Sequence, residues 1–563
     1  MGRTSAFYVQ DDWRVTSKLT LTLGLRYEWE TPSSERYDCI QIGDPNFDTG
    51  VDVPGIGRLR GAALPGTPER RHIPRDGNNF APRLGFAYRL GSKSVVRAGA
   101  GIYYGLTQLQ GEWLPSTIFR KAAIWTTTYD SGITRFATLA DPYPTRSFEP
   151  QARKYGNLAG WGFGNSSVQF EPARNPEIYQ WNVSFQHQFS DTLLLEVAYN
   201  GNRSTHQPQP ATAELNIPFK EARNFTPEQL QEQVPNPFFS MFCGQFDAAA
   251  GVCVAPGTRF FEPDSGYSRP TITRGTLLTP YPQFGGVQAK NWPARASSEY
   301  NSLLFRFEKR YSHGLNFIGH YTYSKYYSDS GSYIGWLGNS VDVQDPYDLT
   351  KEWSVDGADT PHRFVFGYSY ELPVGRGRAL GNNMNRVLDK VIGGWQLNGV
   401  VNLQTGNPLN LYSFNRLTGG TQRPNINGNP RSQYSVQDVV DRKGNYFNVN
   451  LSALECSDPN AGVICAPPAQ QSGNAPRFFD NLRQPWYHSW DMSVFKKFKF
   501  WEGSELQLRA EFFNFTNSPV FRIGHGYYTS AFDQLVLGKP IFGTINSTRV
   551  NPRQFQMGIR FLF

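Results

Sequence analysis

The chain has 563 residues, of which 39% are hydrophobic, 15% aromatic and 18% charged, with a formal net charge of +8. No run of about 18 apolar residues occurs, which excludes a membrane-spanning helix, and residues 1–14 lack the apolar core of a signal peptide. The basic residues are dispersed among acidic ones, and this dispersion argues against a nucleic-acid partner.

The first predicted elements form a β-hairpin. Apolar and polar side chains alternate through residues 7–14 and 19–30, and a turn at residues 16–18 separates them. Further pairs of alternating segments follow in chain order, and a single strand closes the chain. These later elements lie within residues 84–104, 179–199, 303–323, 363–404, 490–512 and 553–563.

The last strand has the length that a membrane requires. Phe555, Met557, Ile559 and Phe561 fall on one face of residues 553–563, and polar residues occupy most of the other. An extended strand of this length rises roughly 36 Å, and a tilt of about 45° reduces its height to about 25 Å. That height matches the apolar band of an outer-membrane barrel.

Short turns and long connections alternate along the whole chain. If all short turns lie on one side of a sheet, all long connections lie on the other, as in bacterial outer-membrane barrels. The pattern predicts an all-β fold over residues 1–563, a transmembrane antiparallel β-barrel of about 13 strands with long extracellular loops. Because such barrels have even strand numbers, we expect further strands ahead of residue 1.

The alternative fold is a soluble all-β protein, such as a propeller or a stacked sandwich. Such folds also contain alternating strands. They explain neither the length of these strands nor the alternation of loop lengths.

The charged residues of the strands fall on the face opposite to the apolar one. A Lys or Arg on the lipid face would cost roughly 2–4 kcal/mol at the membrane midplane. Lys496 is the exception, and it must snorkel to the interface unless its register differs. The inward charges are predicted to line the lumen, where they tune selectivity, pair with one another or hold a plug. They are Arg26, Glu28, Arg83, Arg97, Glu196, Arg306, Glu308, Arg509 and Glu511.

Four of the five cysteines form two local pairs in the long connections. Cys243 and Cys253 are ten residues apart, and Cys456 and Cys465 are nine apart. We expect two disulfides that close loop tips in an oxidising compartment, rather than free thiols or a metal site. Cys39 is left over.

The long connections also contain candidate ligand contacts. Trp292, Trp336 and Trp353 are placed to stack on sugars or other flat ligands, or to belong to an aromatic girdle or pack loop on loop. The Asp44, Asn46 and Asp48 series has calcium-ligand spacing, but Thr49 stands where the calcium loop needs glycine. We therefore interpret it as a polar loop.

No catalytic motif stands out. The sequence contains no HExxH, GxSxG or Walker pattern, and its eight histidines are scattered. The sequence predicts neither an enzyme nor a cofactor.

Several stretches together resemble the C-terminal barrel of TonB-dependent outer-membrane receptors, in particular the Oar-like group with an N-terminal carboxypeptidase-regulatory-like domain. They are FYVQDDWRVTSKLTLTLGLRYEW from Phe7, NPEIYQWNVSFQHQF from Asn175, PHRFVFGYSYELPVGRG from Pro361, GGWQLNGVVNLQTGNPL from Gly393, and WDMSVFKKFKF from Trp490 with LQLRAEFFNFTNSPVF after it. The closing FQMGIRFLF, with Phe563 last, is similar to the signature that the barrel-assembly machinery reads.

The resemblance implies a protein of the bacterial outer membrane, in contact with outer-membrane lipid, that takes up a solute captured by its loops. It also implies a signal peptide, a plug and a TonB-contacting segment, none of which this sequence contains. Energised uptake through TonB is therefore an expectation for a longer parent protein. The alternative is a plug-less passive porin or a surface adhesin. The solute, whether a glycan, a peptide, a siderophore or another small molecule, is not identified by the sequence.

Overall fold

The computed structural model describes most of the chain. Two of the three tryptophans predicted to contact a ligand, Trp292 and Trp336, lie outside the described residues. The described ranges are 4–30, 36–67, 76–105, 117–119, 127–128, 132–135, 137–142, 151–162, 166–168, 174–209, 215–249, 251–262, 265–289, 294–330, 343–414, 420–501, 503–524 and 530–563.

The fold is built on one antiparallel sheet of fourteen strands. Thirteen of them follow one another in chain order, each paired with the next, and the short strand Ser354–Val355 pairs beside this path. The thirteen are β1 (Thr4–Arg14), β2 (Leu19–Glu30), β3 (Phe80–Arg89), β4 (Ser94–Tyr104), β5 (Glu177–Ser190), β6 (Leu193–Gln207), β7 (Ala296–Ser312), β8 (Leu315–Ser328), β9 (His362–Glu371), β10 (Trp395–Gln404), β11 (Tyr487–Trp501), β12 (Ser504–Phe513) and β13 (Gln554–Leu562).

The sheet confirms the predicted all-β fold and the predicted alternation of connections. Six connections lie on one edge of the sheet and are short, apart from residues 372–394 between β9 and β10. Six long connections lie on the opposite edge, and the longest spans residues 208–295. Among the described residues, β1 pairs only with β2 and β13 only with β12, so the sheet is open between its first and last strands.

The long connections are folded and carry short elements of their own. Their strand pairs are Gln41–Val53 with Gly57–Pro65, Ser166–Val168 with Val287–Ala289, Gln233–Pro235 with Thr271–Thr273, Cys243–Asp247 with Val252–Pro256, Asn425–Ile426 with Ile464–Cys465, and Phe521–Arg522 with Ser547–Thr548. Their α-helices are Gln151–Tyr155, Pro227–Gln231, Phe239–Phe242, Arg274–Leu277 and Val436–Val440. Their 3-10 helices are Thr117–Phe119, Gly156–Leu158, Lys220–Asn224, Gly266–Ser268, Leu349–Glu352 and Ser530–Leu535.

One further helix, Arg386–Ile392, lies on the short-turn edge of the sheet. Within the described ranges, none of the helices has both the length and the apolar content needed to cross a membrane.

Two large hydrophobic cores and one small cluster around Ile118 lie in the described parts of the long connections. The first loop body comprises the described residues among 36–67, 151–168 and 215–289, and its core includes Trp161, Phe238 and Phe242. The second loop body comprises the described residues among 343–361, 405–486 and 514–553, and its core includes Leu411 and Ile464. These cores show that the connections, which look irregular in the sequence, form globular units beside the sheet.

Candidate functional site

The pairing register places all nine predicted lumen charges on one face of the sheet. Arg306 lies opposite Glu196 on β6, and Arg83 on β3 lies opposite Gly24 on β2 and Gly101 on β4. The same register brings Arg97 and Glu511 to this face through their partners along the sheet. We call the face of the sheet that carries these nine charges the polar face. Its role as a lumen lining stays a prediction.

The charges on the polar face contact one another across and along the strands. The Arg306 guanidinium lies 2.6 Å from the Glu308 carboxylate and 3.6 Å from that of Glu196. Arg26 pairs with Glu28 two residues along the same strand. Groups of opposite sign therefore largely balance one another on β2, β6 and β7.

The remaining predicted charges contact polar or aromatic neighbours. Arg97 donates a hydrogen bond to Gln186, and Arg509 donates one to Gln507 at 2.8 Å. Glu511 accepts a hydrogen bond from Gln556 at 2.8 Å. The Arg83 guanidinium lies 4.5 Å from the ring centre of Tyr103. Arg97, Arg509 and Glu511 are thus held in place by hydrogen bonds to neutral amides.

The sequence analysis missed an uncharged part of the polar face. Ser369 donates to Asn398 at 2.7 Å, Gln396 donates to both at 2.7 and 2.8 Å, and Asn398 donates to Ser493 at 3.3 Å. These residues link β9, β10 and β11 in one network. These polar residues alternate with apolar ones in the sequence, and that alternation could have identified them. The prediction of lumen-lining residues included charged side chains only.

A cavity of about 840 Å³ lies against this part of the sheet. Its lining includes Arg306, Glu308, Asn398, Asp491 and Glu511. The cavity therefore offers carboxylates, guanidinium groups and amides to anything that enters it. Such a surface can hold a polar solute by several hydrogen bonds at once.

One buried arginine fastens the second loop body to the sheet, and another pairs inside the body. Arg477 donates from Nη2 to the Ser328 carbonyl and hydroxyl at 2.5 Å, at the end of β8, and burial lowers the pKa of its guanidinium. Arg423 pairs with Glu352 inside the body, and both side chains are almost fully buried. Breaking a buried pair is strongly destabilising. The body is therefore held in one position above the sheet.

The two loop bodies touch at a junction that includes Arg223, Asp345 and Tyr347, and Gln470 of the second body also donates to the Phe225 carbonyl of the first at 3.3 Å. Arg223 of the first body donates two hydrogen bonds, of 2.8 and 2.9 Å, to the Asp345 carboxylate of the second. The Tyr347 hydroxyl donates to the Pro218 carbonyl at 2.5 Å. Burial raises the pKa of Asp345, but the bonds from Arg223 and the Tyr347 amide outweigh it and lower that pKa overall.

The structure joins Cys243 to Cys253 and Cys456 to Cys465, one pair in each loop body. Of the three tryptophans predicted to contact a ligand, only Trp353 lies in the described ranges. Its ring stacks on Tyr327, with 6.4 Å between ring centres, and is half exposed. This contact is loop packing on a strand, which leaves one side of the ring available.

Asp48, one of the three residues with calcium-ligand spacing, is paired with an arginine. Arg58 donates to the two Asp48 carboxylate oxygens at 2.7 and 3.1 Å, and this hydrogen bonding lowers the pKa of Asp48 to about 2. Within the described ranges, no group of three His, Cys, Asp or Glu residues is placed to hold a metal ion.

Lys496 lies on the outward face, in register with Trp395 and Leu508. Its ammonium donates to the carbonyl of Gly393, in the connection at the short-turn edge. Lys496 is buried, and its ammonium is satisfied by this carbonyl at the short-turn edge, so the predicted register needs no change.

Phe563, the predicted assembly signature, follows the end of β13 and is almost fully exposed. Its ring stacks on Phe561 at 5.9 Å between centres.

Long antiparallel strands in chain order, with exposed apolar side chains on one face and charges on the other, define the wall of a membrane-spanning β-barrel. The model of the family described as "Outer membrane beta barrel domain" matches residues 2–556. The chain belongs to this family, and it is a protein of the outer membrane.

Solved structures to which this chain is similar include three from transporters and receptors. The outer membrane transporter YddB from Escherichia coli is 9% identical, with all of this chain and 45% of that one covered and a TM-score of 0.41. The pyoverdine receptor FpvA from Pseudomonas aeruginosa PAO1 is 11% identical, with 100% and 42% covered and a TM-score of 0.40. The ferric citrate transporter FecA is 10% identical, with 100% and 45% covered and a TM-score of 0.38.

The chain thus spans less than half the length of these three proteins. A comparison with curated protein sequences found no match.

Proposed function

We propose that this chain is the barrel wall of a TonB-dependent outer-membrane transporter, whose surface loops capture a solute. The observation that carries the proposal is the folding of the long connections into two bodies with their own apolar cores. A binding surface that is rigid before its ligand arrives loses less conformational entropy on binding. A passive pore needs no such bodies, whereas a receptor gains affinity from them.

The chemistry of the polar face indicates the kind of solute. Both signs of charge and a chain of amide and hydroxyl groups line the cavity of about 840 Å³. A glycan, a peptide or a metal-chelating siderophore would find suitable hydrogen-bonding groups there. In this proposal TonB acts on a plug domain, and the barrel-assembly machinery recognises the end of β13.

The alternative is a plug-less passive porin or a surface adhesin. A charged, water-accessible face such as that around Arg306 and Glu308 would also suit a porin. The two proposals differ in whether passage needs energy and whether a solute binds tightly.

The test is uptake by cells that produce the protein in its natural genomic context, with and without a functional TonB. Candidate glycans, peptides and siderophores are supplied as labelled mixtures. Uptake that stops without TonB, with binding at micromolar or tighter concentration, supports the transporter. Uptake that is unaffected by TonB, together with ohmic conductance in a planar bilayer, would contradict it and favour the porin.

A matched pair of variants locates the solute. Asn398→Ala removes a central member of the amide network, whereas Leu397→Ala changes the neighbouring residue on the opposite face. We expect the affinity for the solute to fall roughly tenfold with Asn398→Ala, as for a hydrogen bond of about 1.5 kcal/mol, and to stay unchanged with Leu397→Ala.

A further inference from the structure

The connection between β9 and β10 is distinctive among those on the short-turn edge. It spans residues 372–394 and contains the helix Arg386–Ile392, whereas the other described connections on this edge are tight turns. The Asn385 side chain caps the helix by accepting a hydrogen bond from the Leu388 amide at 2.8 Å. A helix of seven residues is marginal in isolation, so the cap and its tethers are needed to keep it folded.

The helix is amphipathic, and its apolar side faces away from the protein. Val387, Leu388, Val391 and Ile392 share one side of it and are 77%, 45%, 61% and 38% exposed. On the other side, the Asp389 carboxylate accepts a hydrogen bond from the Arg376 amide at 2.6 Å. The polar side is therefore fastened to the connection, which leaves the apolar side uncovered.

The end of the helix is continuous with the lipid-facing surface of the sheet. Trp395, the first residue of β10, donates from its ring nitrogen to the Val391 carbonyl at 3.0 Å. Lys496, which shares the outward face with Trp395, donates to the carbonyl of Gly393 just after the helix. The lipid-facing tryptophan and lysine thus hold the helix at the level where the sheet leaves the membrane.

The charges beside the apolar side complement a phospholipid surface. Arg376, Arg386 and Lys390 are exposed, Arg378 lies 3.3 Å from Glu371, and Asp389 is the only acid in residues 372–394. Cations that flank an apolar helical face bind anionic headgroups while the apolar side chains enter the acyl boundary.

We propose that the helix Arg386–Ile392 lies in the inner leaflet of the outer membrane and binds anionic phospholipid. Val387, Leu388, Val391 and Ile392 insert among the acyl chains, and Arg386 and Lys390 contact lipid phosphates. The helix fixes the depth and the tilt of the sheet on the periplasmic side. This role depends on membership of the outer-membrane family and goes beyond the proposed transport function.

The test uses the full chain reconstituted in vesicles, with a nitroxide at Val391→Cys or, as the control, at Asn383→Cys, an exposed position in the same connection that has no part in the proposed lipid contact. Both variants also carry Cys39→Ser, so that the introduced thiol is the one labelled. Collision with oxygen, which concentrates in lipid, is compared with collision with a water-soluble nickel chelate. In vesicles containing phosphatidylglycerol, we expect the nickel collision rate to be several-fold lower at position 391 than at 383, and the oxygen rate to be higher.

Three results would overturn the proposal. High access of nickel at both positions would place the helix in water. Low access of both reagents at position 391 would show that protein, such as a second copy or a plug, covers it. Equal collision rates in phosphatidylcholine and phosphatidylglycerol vesicles would show that the helix does not bind anionic lipid. Arg386→Gln with Lys390→Gln should abolish the difference between the two lipids while preserving the helix, since Gln is a good helix former.

Discussion

The sheet and the loop bodies bury their apolar residues in opposite ways. On the sheet, Val183 and Ile559 point outward and are 49% and 76% exposed in the protein alone. In the loop bodies, Leu411 and Phe242 are 1% and 0% exposed. The sheet depends on lipid to cover its apolar side chains, whereas each loop body covers its own. A change that harms one region should therefore leave the other intact.

The largest effect is expected from a cavity in a loop core. Leu411→Ala should destabilise the second loop body by about 2–5 kcal/mol, because the body cannot collapse fully around the missing side chain. Limited proteolysis should cut residues 405–486 much faster, while the sheet keeps its resistance to unfolding by detergent and heat. Leu451→Ala, at an exposed position of the same body, serves as the control and should change neither.

A charge on the lipid face should have the converse effect. Val183→Arg in the middle of β5 should cost roughly 2–4 kcal/mol of sheet stability in a bilayer, whereas Ser184→Arg, one residue along and on the polar face, should be tolerated. Chemical unfolding of the protein in vesicles measures both. Equal costs for the two variants would mean that the two faces are not in different solvents.

Acid should separate the loop bodies without unfolding either. The pKa of Asp345 in the folded protein is below its ordinary value of 3.8, so its pair with Arg223 stabilises the junction above that pH. The contribution, about 1.5–3 kcal/mol for charged hydrogen bonds, is lost as the pH falls through the lowered value. Spin labels at Glu221→Cys and Thr350→Cys should move apart only as the pH falls below 3.8 and through the lowered pKa of Asp345. Asp345→Asn should show no such step, and a step that persists in it would implicate another group.

The smallest effect concerns the packing of aromatic rings over glycine on the lipid face. A Cβ at Gly319, on the lipid face, would lie 2.1 Å from the Phe307 ring, whereas one at Gly367, on the polar face, would find its nearest atom at 3.9 Å. Gly319→Ala should therefore destabilise the sheet by about 1–3 kcal/mol, since the ring must shift, and Gly367→Ala should be nearly neutral. The same unfolding measurement in vesicles separates them, and a larger cost at Gly367 would contradict the assigned packing.

The sequence by itself determined the sheet. Each strand pairs with its neighbour in the chain. Because successive side chains of a strand point to opposite faces, the order of residues determines which side chains face outward and which face inward. Residues 19–30 and 553–563 could therefore be assigned to strands with their faces, and the nine charges to one face, without any tertiary information. Even Lys496, the one exception, was recognisable as a residue that must reach the interface.

Only the tertiary structure decided how the long connections fold. Their cores join segments far apart in the chain, as Trp161 and Phe242 show in the first body. Arg223 and Asp345 are 122 residues apart, and Arg423 and Glu352 are 71 apart. No periodicity marks these contacts, because non-local packing in irregular chain has no repeat that a sequence pattern can reveal. The sheet is specified by local order, and the loop bodies by which distant residues happen to complement one another in space.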